Sequence, residues 1–150
     1  MVNVHWFTIV RNPYERAISE YYQHFKFGIH RPPSGISVND ANFLNYFIQT
    51  HFRNGTQDLF FPQYEYIFNT QGNQMVHHIL HFESIQKEFP PLMECYGLNV
   101  SLPSVPVNKR QAAAGLGVAN LTAESIAVIN EVERLSFEVL GYEMLSINST

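Results

Sequence analysis

Arg11, Arg16 and Ser19 are the residues whose types and spacing best suit chemistry, and they lie where an apolar run stops at Arg11-Asn12-Pro13. A guanidinium makes bidentate, charge-assisted hydrogen bonds to a phosphate, and a hydroxyl two turns along a helix adds a neutral donor. The elements that must position them are legible locally. Val4 to Val10 is apolar and rich in β-branched and aromatic residues, as in a strand buried on both faces. Asn12 suits an N-cap and Pro13 the first helical position, which predicts a helix over 13–27. Tyr14, Ala17, Ile18, Tyr21, Tyr22 and Phe25 recur at three- and four-residue spacing and give that helix an apolar stripe. Arg11 is then expected at the carboxyl end of a strand, beside free backbone N–H groups at a helix N-terminus, where open α/β sheets bind anions. The alternative is plainer: Arg11 and Arg16 pair with Glu15 or Glu20, and Ser19 is a small residue facing a packed strand.

Farther along, Pro32-Pro33 breaks the chain, and Ser37-Val38-Asn39-Asp40 is expected to cap a helix over 39–53 with Phe43, Leu44, Phe47, Ile48 and Phe52 inward and Gly55 as its stop. Phe60 to Tyr64 reads as an aromatic turn. A second strand is expected over 75–82, then a helix around Phe89–Tyr96 broken or started at Pro90-Pro91 and stopped by Gly97. Leu102 to Leu121 is an irregular connection. Thr122 caps a last helix over 123–140, with Ile126, Ile129, Val132, Ser136 and Leu140 as its packed stripe and Gly141 as its end.

In the order R-N-P-x-x-R-x-x-S-x-Y after a hydrophobic strand, Arg11, Pro13, Arg16, Ser19 and Tyr21 resemble the 3′-phosphate-binding motif of sulfotransferases that use 3′-phosphoadenosine-5′-phosphosulfate (PAPS). Five defined positions in eleven residues make a specific likeness. Met75 to Ile85, with the aromatic-Glu pair Phe82-Glu83, is similar to the second strand of that family, and Ile129 to Tyr142 to the closing helix of its carbohydrate-type branch. The resemblance implies one α/β domain over 1–150, a three-layer parallel sheet flanked by helices of P-loop-like type. It implies that Arg11 and Ser19 hold the 3′-phosphate of PAPS or of adenosine 3′,5′-bisphosphate, helped by Arg16. It implies that Lys109 and Arg110 close over the nucleotide as a lid, with a solvated basic turn as the equal alternative. The acceptor is a hydroxyl of a carbohydrate or similar molecule. Gln63 and Tyr64 are acceptor-side candidates, with loop aromatics capping the core as the alternative.

Members of the family begin with a strand and a glycine- or threonine-rich loop whose Lys binds the 5′-phosphosulfate. Here only Met1 to His5 precede the first apolar strand, no G-x-x-x-x-G-K-[ST] loop occurs, and the only lysines are Lys26, Lys87 and Lys109. Glu133 and Ser136 stand where the family usually carries Tyr and Asp. The resemblance therefore implies an N-terminally truncated domain, the 3′-phosphate half of a site, with no catalytic residue assignable. The alternative is a non-catalytic, nucleotide-binding remnant of the fold. A sheet short of its first strands exposes an edge and an apolar face, so a second copy or a complementing chain is expected to cover it.

Composition sets outer bounds. The 150 residues are 45% hydrophobic, enough for one sizeable core, with no repeat dividing them. A net charge of -4 argues against a general nucleic-acid surface, so an anion site must be local. No membrane span or leader pattern is visible. Cytoplasm is the default compartment, and four N-x-[ST] triplets, at Asn54, Asn99, Asn120 and Asn148, weigh towards a secretory lumen. The single Cys95 excludes an internal disulfide and reads as a small buried hydrophobe. His77, His78 and His81 lie close in sequence, but strand alternation puts His77 and His81 on one face about 13 Å apart, too far for one ion. No metal site is expected. His24 is a candidate to face the cleft, with a structural histidine as the more ordinary role.

Overall fold

The computed structural model describes residues 4–52, 61–104 and 115–147. Among these the chain is mixed α/β, with a two-stranded parallel sheet and six helices. Strand β1 (Phe7–Val10) runs beside β2 (His78–His81), Phe7 opposite His78 and Val10 opposite His81. Parallel strands need a long crossover. It contains α1 (Pro13–Lys26), α2 (Ala41–His51) and the short α3 (Gln63–Ile67). After β2 a single 3₁₀ turn, Phe82–Ser84, leads into α4 (Ile85–Cys95), and α5 (Ala123–Val132) and α6 (Arg134–Leu140) follow.

Local chemistry accounts for most of these boundaries. The Asn12 side chain accepts from the Tyr14 and Glu15 backbone N–H groups, and Pro13 opens α1. The Asp40 carboxylate accepts from the N–H groups of Asn42 and Phe43, so α2 starts at Ala41. Its expected stop, Gly55, lies outside the described residues. Thr122 caps α5 through the N–H of Ser125, while Gly141, at φ 75°, ends α6 in the left-handed region that suits glycine.

The apolar stripes of α1, α2 and α5 form the main core, with Tyr14, Ile18, Tyr21, Leu44, Phe47 and Ile129 at its centre. Alternation along the strands sends Leu80 towards Phe89, Leu92 and Met93 of α4. It sends Val10 the other way, onto Ile67 and Leu140. No helix of the described residues is long and apolar enough to cross a membrane.

Several expectations are corrected. Both strands are shorter than the apolar runs that suggested them, and β1 is not buried on both faces. Phe7 is 43% and Ile9 46% exposed, because β2 is the only strand beside β1 among the described residues. Helix α4 starts at Ile85 and runs through Pro90 and Pro91. Its start is anchored upstream, where the Glu88 carboxylate accepts from the Ser84 hydroxyl and from the His81 N–H, contacts that hold its pKa below the usual carboxylate value. Burial of Phe89, Leu92 and Met93 against Leu80 carries the helix past the lost proline donors. The last helix is two, broken at Glu133. The expected turn at Phe60 to Tyr64 is helical from Gln63, Phe60 itself lying outside the described residues. Cys95 is exposed rather than buried, since α4 turns its apolar side to Leu80.

The contrast between core and sheet face is measurable. Ile18→Ala should cost about 2–5 kcal/mol in urea unfolding, as a fully buried isoleucine does. Ile9→Ala should cost less than about 1.5 kcal/mol, and a larger loss would show that its face is covered in solution.

Candidate functional site

The junction between β1 and α1 is the centre of the candidate site. Arg11 leaves the carboxyl end of β1, and its main chain is held by one side chain, Gln63. The Arg11 N–H donates to Gln63 Oε1 at 2.7 Å, and Gln63 Nε2 donates to the Arg11 carbonyl at 2.8 Å. A primary amide thus pairs with the last edge position as a neighbouring strand would. Gln63 is 3% exposed, so it is a structural clamp and not an acceptor-side residue. Tyr64 stacks on Phe68 at 4.7 Å, the ordinary role of a core-capping aromatic.

The free N–H groups expected at the start of α1 are not there. The Asn12 N–H donates to Glu83 Oε1 at 2.7 Å, those of Tyr14 and Glu15 go to the Asn12 side chain, Arg11's goes to Gln63, and Pro13 has none. An anion at this junction must therefore be held by side chains. Arg11 Nη2 lies 3.3 Å from Glu15 Oε2, and its guanidinium carbon sits 4.7 Å above the Phe82 ring. The Glu15 pair is partly solvated, and such pairs contribute about 0–1 kcal/mol. A bidentate, charge-assisted contact to a phosphate is in general stronger, about 1.5–3 kcal/mol. Ser19 is half-buried two turns along α1, and its hydroxyl makes no hydrogen bond within the described residues.

Arg16 does something different. Its Nη1 donates to Glu133 Oε1 at 2.6 Å and its Nε lies 3.8 Å from Glu20. The Arg16 and Glu133 side chains are only 12% and 3% exposed. The other Glu133 oxygen accepts from the Gln63 N–H at 3.1 Å and from the Ser136 hydroxyl at 2.5 Å. Glu133 is turned inward at the break between α5 and α6, which is why one helix becomes two. Burial raises the pKa of Glu20 above its ordinary value, with Arg16 opposing. Arg11 and Arg16 are thus brought to one helix end but not to one ligand face. The plainer alternative read from the sequence, pairing of these arginines with Glu15 and Glu20, is present in the structure.

Lys109 and Arg110 lie outside the described residues. His24 is buried, stacked on His30 at 5.1 Å and set against Phe47, so it serves the core and not a cleft. His77, His78 and His81 go to separate partners, the Trp6 N–H, Tyr96 and Glu88. No group of three or more His, Cys, Asp or Glu among the described residues is placed to hold a metal ion.

Two members of the junction were missed by sequence reasoning. Glu83 takes the Asn12 N–H, and its second oxygen accepts from the Tyr142 hydroxyl at 2.9 Å. Burial first, then the bond to Glu83, pushes the Tyr142 hydroxyl above the ordinary phenol range, with Arg11 opposing. The aromatic-Glu pair at the end of β2 was the available signal for Glu83; nothing local marks Tyr142.

No protein-family model, no curated protein and no solved structure matches this chain.

The Arg16–Glu133 pair has a testable cost. Arg16→Met or Glu133→Leu alone should destabilise by about 3–5 kcal/mol, because each leaves a buried charge uncompensated. The double variant should recover most of that loss in guanidinium unfolding, and simple additivity would refute the coupling.

Proposed function

We propose that this chain is the 3′-phosphate-binding part of a PAPS-dependent sulfotransferase domain, with adenosine 3′,5′-bisphosphate bound at Arg11 and Ser19. The observation that carries the reading is the placement of Arg11. It leaves a strand paired in parallel, directly before a capped helix that carries Ser19 two turns on. In this reading the two strands belong to a larger three-layer, P-loop-like sheet, Arg16 supports the site by holding α1 in place, and Lys109 and Arg110 lie over the nucleotide. A carbohydrate or similar hydroxyl is the acceptor, and a second copy or a complementing chain covers the open face of β1.

Sulfuryl transfer needs positive charge on the bridging oxygen as it leaves, and a base for the acceptor hydroxyl. Lys26 lies at the far end of α1, and Lys87 is exposed on α4. Lys26 is thus set apart from Arg11. The second reading, nucleotide binding without catalysis, is favoured by that separation.

Calorimetry should give tighter binding of adenosine 3′,5′-bisphosphate than of adenosine 5′-monophosphate. Arg11→Ala should weaken the former by about 2–3 kcal/mol while changing stability by less than about 1 kcal/mol. Equal binding of the two nucleotides would sink the assignment. The 150-residue chain alone should transfer sulfuryl groups from PAPS at a negligible rate, since one missing charge-stabilising donor costs about 10²–10³. Sustained turnover with a sugar acceptor would show that another segment supplies that charge.

A further inference from the structure

Of the four N-x-[ST] triplets, those at Asn99 and Asn120 lie among the described residues, and the fold treats them oppositely. Asn120-Leu121-Thr122 is built into the structure. The Asn120 Oδ1 accepts from the Gly117 N–H at 2.9 Å, and the Asn120 carbonyl accepts from Asn45 Nδ2 at 2.8 Å. Leu121 is buried in the main core. The Thr122 hydroxyl caps α5, and the Thr122 N–H donates to Asn45 Oδ1 at 2.8 Å.

Asn99-Val100-Ser101 is left outside. Past the end of α4, Gly97 at φ 64° turns the chain away, and the Leu98 N–H donates back to the Met93 carbonyl at 2.9 Å. The triplet that follows has no secondary structure, all three of its residues are exposed, and none of them makes a hydrogen bond among the described residues. Its middle residue is Val100, not the proline that would spoil it. The content of asparagine, serine and threonine in this chain would place about one or two such triplets by chance, so four is an excess. The end of α4 lies by the amino ends of β1 and β2, where Tyr96 meets His5 and His78, whereas Arg11 leaves the carboxyl end of β1.

We propose that Asn99 is an N-glycosylation acceptor and that Asn120, in the folded chain, is not. The donor is an oligosaccharide carried on a lipid diphosphate, met in a secretory lumen. Asn99 Nδ2 forms a bond to the anomeric carbon of the sugar, and the bond from that carbon to the diphosphate oxygen breaks. The lipid diphosphate leaves with the electron pair, and an amide proton passes to a base of the transferase. An amide nitrogen shares its lone pair with the carbonyl and is a weak nucleophile, so the transferase must grip the Asn99 side chain and the Ser101 hydroxyl together. A triplet whose backbone and side chains already serve the fold, as at Asn120, cannot be drawn into that grip. The Asn99 site is independent of the nucleotide reading, since it shares no residue with the β1–α1 junction.

Glycan transfer to the intact folded chain, by a purified oligosaccharyltransferase supplied with a lipid-linked oligosaccharide, decides the matter. Occupancy is read site by site by mass spectrometry, after enzymatic removal of the glycan in heavy-oxygen water marks each formerly occupied asparagine as aspartate. A short acceptor peptide of unrelated sequence reports that the transferase is active. Asn99 should be occupied, while Asn120 should stay empty in the folded chain and become occupied in a synthetic peptide spanning residues 117–125. Ser101→Thr should keep the glycan at Asn99, and Ser101→Ala should remove it. The chain purified from its own cells should carry a glycan at Asn99. An empty Asn99 in the folded chain beside a modified control peptide, equal occupancy of Asn99 and Asn120 in the folded chain, or an empty Asn99 in the chain purified from its own cells would each overturn the proposal.

Discussion

A carboxylate buried without a partner would cost several kcal/mol, and Glu133 is buried at the break between α5 and α6. Arg16, the Gln63 N–H and the Ser136 hydroxyl satisfy it, and these come from α1, α3 and α6. Three elements distant in sequence must therefore meet at one point. Gln63 is placed by this meeting, and its amide then clamps the main chain of Arg11. The geometry of the candidate phosphate site thus depends on a charge that the ligand would never touch.

The same dependence explains the division of labour between the two arginines. Arg16 is committed to Glu133 in a nearly dry setting, where exchange for a ligand would strand a charge. Arg11 is paired with a partly solvated Glu15 and stacked on Phe82, a more open setting than that of Arg16. The donors that a bare helix N-terminus would offer are consumed by Asn12, Gln63 and Glu83. The main chain of the junction is thus tied down by side chains, and Glu83 places a negative charge beside it.

The sheet poses a different constraint. β1 has an apolar side chain at nearly every position, yet among the described residues it has one strand neighbour, and Trp6, Phe7 and Ile9 remain substantially exposed. That exposure follows from a strand whose composition suits the middle of a sheet but whose surroundings are those of an edge.

Local signals settled what local physics controls. Asn12-Pro13, Asp40 and Thr122 start helices because their side chains satisfy backbone donors within three residues, and Gly141 ends one because its φ is positive. The stripes of α1, α2 and α5 identified the core, since burial of a helical face follows its period. The strand–turn–helix placement of Arg11 and Ser19 was legible for the same reason. What the sequence could not determine is set by partners far away along the chain. That Glu133 breaks a helix, that α4 passes through two prolines, that Gln63 serves Arg11, and that Glu83 and Tyr142 complete the junction all turn on hydrogen bonds and burial spanning roughly 50 to 120 residues, or on packing against another element. Periodicity and capping describe a segment's own preferences. Only the tertiary structure decides which preference yields when a buried charge or an apolar face must be satisfied.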